Sequence, residues 1–281
     1  MSFLNKNNYN KPVIIAAILL LLVAVIYIAS NNKKSSNDAK SDTQNGQEIK
    51  PSGLDKNMKV SNVEDVEKVV EKWIEANPEA IIKSVAEMQK KSMEKQTIDA
   101  QKNISEKKAE LFEDKSSPVY NSKDYDVSIV EFFDYNCGYC KGAQKTVEKL
   151  LKEDKKIRFI YKEFPILGNA SVELSKVALA VNMTSPSSYP KFHDALMKSS
   201  AKNTEDAIKV AVEIGVNKDQ LKKTLDSNKT EIDAVIASNH ELGGAIGING
   251  TPGFIIGEEL IPGAVDIGTI KQKIAELRSK K

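Results

Sequence analysis

Apolar residues fall in three textures along the chain. Val13 to Ala29, VIIAAILLLLVAVIYIA, is an unbroken apolar run, with Lys6 and Lys11 before it and Lys33 and Lys34 after it. A membrane-spanning helix takes about 20 such residues and the core of a secretory signal about 7 to 15. Residues 1–30 are therefore expected to be a signal peptide or membrane anchor. Ile28 stands where a cleavage site after Ser30 needs a small residue, which favours the anchor. The bulk of the chain is expected outside the cytoplasm. Residues 31–60 are polar, contain Gly and Pro and show no periodicity, the composition of a disordered linker.

The second texture is helical. Ser61 and Glu64 match a capping box, and Val63, Val66, Val70 and Trp73 recur at spacings of three and four. Asn77-Pro78 reads as a helix restart with proline in the first turn. No Gly or Pro follows before Asp114, so one helix of up to about 55 Å is expected at roughly 1.5 Å per residue. Its apolar positions, Ile81, Ile82, Val85 and Met88 and then sparse Ile98, Ile104 and Leu111, are too thin a face to build a core. Residues 61–115 are thus expected to form a helical arm. The Val63–Met88 stripe reads as a homo-oligomerisation surface, against the alternative of a solvated spacer.

Past Pro118 the pattern changes to short β-forming runs. DVSIVEFF (Asp126–Phe133) and IRFIYKEF (Ile157–Phe164) read as strands, and Phe254–Ile256 as a third. Gly257-Glu258-Glu259 reads as a hairpin turn into Leu260–Val265. A helix is expected from about Cys137 to Glu153, helical texture fills about 169–246 with start and stop signals at Asn203, Gly215, Asn217 and Gly243-Gly244, and a last helix runs from Asp266 to Ser279. The order strand, helix, strand, helical insertion, hairpin, helix is that of an α/β fold with a small mixed sheet.

Composition narrows the function classes. The formal net charge of +2 over 281 residues lacks the basic excess of a nucleic-acid binder. Arg158 and Arg278 are the only arginines, which argues against a phosphate reader. Cys137 and Cys140 are the only cysteines, and His193 and His240 are remote from them in sequence. That speaks against a zinc site of cysteines and histidines.

The cysteines lie in FFDYNCGYCK (Phe132–Lys141), between a strand and a helix start. A thiolate at a helix N-terminus faces unpaired backbone N–H groups and the positive end of the helix dipole, both of which lower its pKa. Cys137 is then the attacking thiol and Cys140, one turn further in, the resolving one. A disulfide across two residues closes too small a loop to stabilise much, so a redox pair is favoured over an inert crosslink. Asn136 reads as the helix N-cap, and Lys141 adds nearby positive charge. Glu131 interrupts an apolar strand. It is either a buried carboxyl with raised pKa able to relay protons, or a residue on the solvent face. Thr251-Pro252 in GTPGF offers a candidate cis peptide bond or an ordinary turn. His193 is expected on a helix surface, and Tyr135 and Tyr139 either line a substrate groove or pack in the core or rim.

FFDYNCGYCK, YKEFPILG and GINGTPGFIIG, in this order, resemble the thioredoxin fold of the DsbA family, and most its oligomeric Com-type and ScsC-like branches in the bacterial envelope. The resemblance covers about residues 118–281. It implies a thiol–disulfide oxidoreductase that forms or shuffles disulfides in exported proteins, with Cys137 attacking and Cys140 resolving. It further implies a cis-proline at Pro252, substrate backbone pairing at Thr251, and proton transfer assisted by Glu131. No cofactor or metal is implied. The implied partners are unfolded or reduced exported proteins, a membrane or thioredoxin-like redox partner, and further copies of the chain through residues 61–115. The implied location is the periplasm, with tethering to the inner membrane through residues 13–29. The best-known DsbA enzymes carry Pro-His between the cysteines, whereas Gly138-Tyr139 stands here, and Thr251 is more typical of isomerase and reductase relatives. Oxidase and isomerase therefore both stay open. A non-catalytic envelope interaction protein or antigen, and a stalked scaffold, are the readings from other classes.

Overall fold

A computed structural model describes residues 62–120 and 123–280. The apolar run of residues 13–29 and the polar linker lie outside them. Among the described residues no helix is long and apolar enough to cross a membrane. The chain divides into two compact units at Pro78 and Glu79.

The first unit contributes α1 (Val63–Ala76). Its N-cap is Asn62, whose side chain accepts from the Asp65 N–H at 2.9 Å. The helix is thus capped one position later than the expected Ser61–Glu64 box, by the Asn62 amide; Ser61 lies outside the described residues. Val63, Val66 and Val70 are all exposed.

The second unit begins with α2 (Pro78–Glu106) and a short α3 (Lys108–Phe112). The single helix expected to reach Asp114 instead stops at Glu106, at roughly 44 Å. The chain is re-aimed at Lys107 so that the last carbonyls of α3, which have no partner within a helix, meet side chains of the sheet. Arg158 donates to the Phe112 carbonyl at 2.6 Å and Lys162 to that of Glu110 at 2.9 Å.

The sheet has the order β1-β3-β2-β4-β5, from β1 (Val119–Tyr120), β2 (Val127–Phe133), β3 (Ile157–Glu163), β4 (Gly253–Ile256) and β5 (Glu259–Pro262). β2 and β3 run parallel in the register Val127↔Ile157 to Phe133↔Glu163, and β4 is antiparallel to β2. α4 (Gly138–Glu153) connects β2 to β3. The helical texture expected between β3 and β4 is realised as α5 (Asn169–Thr184), α6 (Tyr189–Lys198), α7 (Thr204–Glu213), α8 (Lys218–Ser227) and α9 (Lys229–Ala245). Asn203 and Asn217 cap α7 and α8 through their side chains, and Asp266 caps α10 (Ile267–Ser279). β1 has no sequence signal of its own; two residues are too few for a period, and pairing with β3 makes it a strand.

Both faces of the sheet are covered, which is why β2 and β3 read as nearly continuous apolar runs. On the front, Ile129, Phe133, Phe159, Tyr161 and Phe254 pack with α4, α5, α6 and α10. On the back, Val130, Phe132, Ile160 and Ile255 pack with Ile104 of α2, Leu111 of α3, Leu242 of α9 and Ile246 just past its end. The C-terminal end of α2 is thus part of the core, while Ile82, Met88, Met93 and Ile98 further up the helix are exposed.

The back face carries one charge out of water. Lys162 is 1% exposed and its ammonium meets Asp114 at 2.7 Å. Burial opposes the Asp114 charge, but the hydrogen bonds from Lys162 and Ser116 outweigh it and bring its pKa down to about 2. Removing one partner of a buried pair strands the other. Asp114→Ala is expected to cost roughly 3 kcal/mol in urea denaturation at neutral pH, and Lys162→Met clearly less. Because the folded pKa of Asp114 is depressed, its contribution is present above the unfolded value and lost as pH falls toward 2. Equal losses for the two variants would show that the pair is not what anchors α3.

Candidate redox site

The site forms where β2 runs out. Parallel pairing carries the chain to Phe133, and Asp134 then turns it. The Asp134 carboxylate is fully buried and accepts from the backbone N–H groups of Asn136 (2.7 Å), Ile166 (2.8 Å) and Leu167 (2.9 Å) and from the Ser171 hydroxyl (2.7 Å). Its own carbonyl accepts from the Cys137 N–H at 3.1 Å. One side chain therefore ties the cysteine loop to the loop after β3 and to the start of α5. Nothing in the local sequence pattern marked Asp134 for this, because its donors are up to 37 residues away.

Cys137 is itself the N-cap of α4, and no side-chain oxygen caps that helix. The N-cap expected at Asn136 is displaced because the Asn136 amide is engaged elsewhere, donating to Ser171 and accepting from Lys202. The first-turn N–H groups of α4 thus have no side-chain partner at the cap, and Cys137 stands at the helix end where such groups are left open. Lys141 does not join this field: its ammonium donates to the Ser199 carbonyl at 3.1 Å.

The two thiols are free of each other and differ in access. Cys137 is 7% exposed and Cys140 1%. The Cys137 thiol donates to the Thr251 carbonyl at 3.2 Å. The Thr251-Pro252 bond is cis, and Pro252 is buried opposite the cysteines. Burial pushes the Cys140 thiol well up, the neighbouring Glu131 pushes the same way, and the Asp134 backbone and Thr251 side chain work against the rise. Thr251 thus meets Cys137 directly through its backbone carbonyl.

Of the two readings of Glu131, the structure takes the buried one. It sits on the front face of β2 between Tyr161 and Phe254, 1% exposed, with Oε2 lacking a hydrogen-bond partner among the described residues. Burial raises its pKa to about 8, with the Cys137 charge adding to the effect. At neutral pH it is a protonated acid beside two sulfurs.

His193 is not the surface residue its helix suggests. It is fully buried on α6, 3.2 Å from the Tyr135 hydroxyl and 3.2 Å from Gln144 of α4, with Phe133 and Tyr161 packed against its ring. Burial lowers its pKa to about 3, so it stays neutral. Tyr135 and Tyr189 both donate to Glu163, at 3.1 and 2.6 Å. Burial raises the Glu163 pKa to about 8 despite these bonds. Tyr135 thus packs in the core, while Tyr139 is 74% exposed on the rim.

Glu131 has a pH signature. Its folded pKa lies above its unfolded one, so the native state binds the extra proton and stability falls as pH rises from about 4.5 to about 8. The loss from this group is on the order of 5 kcal/mol. In the dithiol form Glu131→Gln is expected to flatten that slope, gaining over wild type at pH 8 and little at pH 4. An unchanged slope in urea titrations would place the proton elsewhere.

Comparison with known proteins gives a consistent result. The model of the DSBA-like thioredoxin domain matches residues 128–275, just over half the chain. The "Probable disulfide bond formation protein D" of Bacillus anthracis is 25% identical over 161 residues, 54% of this chain and 74% of that protein. The thiol-disulfide exchange protein alpha-DsbA2 of Wolbachia pipientis is 32% identical with a TM-score of 0.60, covering 63% of this chain and 95% of that one. Proteus mirabilis ScsC in a transitional conformation is 25% identical with a TM-score of 0.56, covering 78% of this chain and 97% of that one. With the thioredoxin-like sheet and the paired thiols at its centre, the chain belongs to the DsbA-like thioredoxin domain family of thiol–disulfide oxidoreductases.

Proposed function

We propose that the chain exchanges disulfides with exported polypeptides through Cys137 and Cys140. The observation that carries this is Cys137 standing at the bare N-terminus of α4, its sulfur 3.2 Å from the Thr251 carbonyl, with Cys140 sealed beneath it.

In the oxidising direction, a substrate thiolate attacks the Cys137 sulfur of the Cys137–Cys140 disulfide. The new bond is a mixed disulfide, and the electron pair of the old one leaves on Cys140. A Cys140 thiolate is costly in its buried place, since burial favours the neutral thiol. Glu131, protonated at neutral pH, is the nearby acid that supplies the proton. A second substrate thiolate then attacks the substrate sulfur and expels Cys137, whose sulfur takes the electron pair of the broken bond. Two electrons and two protons pass from the substrate dithiol to the cysteine pair. Thr251 holds the extended substrate through its backbone, beside Pro252.

A second reading has its own support. The stripe Val63, Val66, Val70 and Ile74 on α1, and Ile81, Ile82, Val85 and Met88 on α2, is exposed throughout. Apolar stripes of this kind are ordinarily covered. Another copy of the chain covers them in this reading, and an oligomer with reduced centres shuffles disulfides instead of making them. Both readings place the domain in the periplasm. An inner-membrane anchor at residues 13–29 fits the apolar run but falls on residues that are not described.

In glutathione buffers the cysteine pair is expected to have a reduction potential between about −120 and −230 mV; the upper end marks an oxidant and the range from roughly −180 downward an isomerase or reductase. A value below about −300 mV would mark a structural disulfide and end the enzyme reading. Cys140→Ser is expected to accumulate mixed disulfides with unfolded substrates whose cysteines carry glutathione, Cys137 displacing the glutathione thiolate, and Cys137→Ser none. An arm deletion that separates oxidase from isomerase must stop before Met93, because Ile104, Leu111 and Asp114 belong to the domain core. Loss of shuffling with oxidation retained is the outcome expected of the oligomeric reading.

A further inference from the structure

Tyr135, two residues before Cys137, belongs to a buried polar chain that the exchange reaction does not use. The chain runs from Asp194 on α6 to Gln144 on α4, back to His193 on α6, then to Tyr135 and to Glu163 at the end of β3. Gln144 donates to Asp194, and the Gln144 oxygen lies 3.2 Å from His193 Nε2. His193 Nδ1 lies 3.2 Å from the Tyr135 oxygen, which lies 3.1 Å from Glu163 Oε1. Tyr189 donates to the same Glu163 oxygen at 2.6 Å. All of these residues are buried except Asp194, which is partly exposed.

The chain holds the Cys137 segment on both sides. Tyr135 precedes the cysteine, and Gln144 stands on the helix that Cys137 caps. The bond of Gln144 to Asp194 ties that helix, α4, to α6.

Hydrogens along the chain are few enough to count. A neutral imidazole carries one N–H and a hydroxyl one O–H, and an amide donates from its nitrogen alone. With the Gln144 nitrogen at Asp194, the Gln144 oxygen takes the hydrogen of His193 Nε2. Nδ1 is then bare and takes the Tyr135 hydrogen. A hydrogen between the Tyr135 oxygen and Glu163 Oε1 must now come from Glu163. In this arrangement Asp194 is ionised and Glu163 protonated. In the opposite one Tyr135 donates to an ionised Glu163 and His193 carries its hydrogen on Nδ1. Gln144 then turns its nitrogen to the bare Nε2, and only a protonated Asp194 can meet the amide oxygen. The bond between Tyr135 and Glu163 is thus donated by Tyr135 in one arrangement and by Glu163 in the other. Either way, one proton serves two carboxyls. With no proton, one hydrogen bond of the chain is lost, which is costly among buried groups. Water reaches only the Asp194 end, so the break falls there: His193 changes tautomer, Gln144 turns over, and α4 loses its tie to Asp194.

The surroundings decide which carboxyl holds the proton. Facing Glu163 are Tyr135, Tyr189, Ser175 of α5 and the Asp134 carboxylate, and Asn239 of α9 donates to its backbone carbonyl; none of these is a cation. Glu163 Oε2 has no hydrogen-bond partner among the described residues. Tyr161 packs on the His193 ring and has Glu131 beside it on β2. Asp194 faces Glu148 and Lys152 of α4 and Lys198 of its own helix. Burial raises the pKa of Glu163 to about 8 and that of Asp194 to about 6. Between these values the chain holds one proton, at the Glu163 end.

We propose that Glu163 and His193 are positioning residues for Cys137: the proton on Glu163 fixes the His193 tautomer, and through it the bond of Gln144 to Asp194 that keeps α4 and its N-terminal cysteine in place. Loss of that proton releases α4. The proposal rests on the reading that Cys137 exchanges disulfides.

The test uses the full chain and two readouts. In nitrogen-15 spectra, with His240→Gln to identify the signals, His193 is expected as the Nε2–H tautomer at pH 7 and as Nδ1–H above a midpoint near pH 8. Glu163→Gln keeps a hydrogen for Tyr135 at every pH and is expected to hold the Nε2–H tautomer throughout. Asp194→Asn can meet Gln144 in either orientation, so its midpoint is expected to fall by about one pH unit. The second readout is the reaction of Cys140→Ser proteins with the symmetrical nitrothiobenzoate disulfide. The Cys137 thiolate forms a bond to one sulfur, the disulfide bond breaks, and the other sulfur leaves as the coloured thiolate. Rates are taken per Cys137 thiolate, read by ultraviolet absorbance. Between pH 7 and pH 9 the parent is expected to slow about threefold relative to the same protein carrying Glu163→Gln or Asp194→Asn. Glu131 ionises in all three proteins, so the ratios remove its effect. A single His193 tautomer across this range in the parent would overturn the proposal, as would a transition unchanged by Glu163→Gln or rate ratios that do not vary with pH. Should Glu163→Gln fold poorly, Asp194→Asn at its partly exposed position decides, an unmoved midpoint overturning the proposal. Absence of any reaction in the Cys140→Ser parent would instead remove the exchange reading, whatever the histidine spectra show, and the proposal with it.

Discussion

Parallel pairing of β2 with β3 is the constraint on which the rest depends. A parallel pair needs a crossover, and here the crossover is α4, whose first turn must begin where β2 ends. That requirement sets Cys137 at a helix N-terminus. The same pairing puts β2 in the middle of the sheet, with β4 on its other side. A central strand with helices on both faces has no solvent side, so Glu131 is buried whichever way it points. The thiol at the helix end and the buried acid are thus two consequences of one strand's position.

The sheet deals differently with polar groups on its two faces. On the back, Lys162 keeps its charge because Asp114 lies 2.7 Å away, and that pair also secures α3. On the front, Glu131 and Glu163 have no ion-pair partner among the described residues, and burial holds both largely protonated at neutral pH. An uncompensated buried charge costs more than protonation does. The front face is thereby a reservoir of neutral acids close to the sulfur chemistry. His193, also neutral, joins α4 and α6 through Gln144 and Tyr135 without bringing charge near the thiols.

The arm and the catalytic domain are less separate than composition suggests. Apolar positions on the upper part of α2 are exposed, but α2 ends inside the domain core, with Ile104 beside Val130 and Phe132 of the sheet. One helix thus runs from an exposed stripe to the back of the strand that carries Glu131. Its polar middle faces the loop of Thr251 across a cleft.

Much of this was legible in the order of residues. Local signals decide local structure: Asn203, Asn217 and Asp266 cap the helices they precede, and the β-forming runs at Val127 and Ile157 are strands because both their faces are apolar. The two cysteines, alone in the chain and spaced by two residues after a strand, marked the redox centre, and Thr251-Pro252 marked the loop facing it. Three things were beyond the sequence because they depend on residues far apart meeting in space. The break of the long helix at Lys107 answers to Arg158 and Lys162 on β3. The burial of His193 comes from packing against Phe133 and Tyr161, and a helical period of one residue in three or four does not reveal which neighbours arrive. Asp134 is an ordinary turn residue by type, and only the folded chain brings the N–H groups of Ile166 and Leu167 and the Ser171 hydroxyl to its carboxylate. The sequence by itself marked the cysteine pair and the residues around it; the tertiary structure decided how the buried acids beside that pair are charged, because charge depends on solvent access and on hydrogen-bond partners that no local stretch contains.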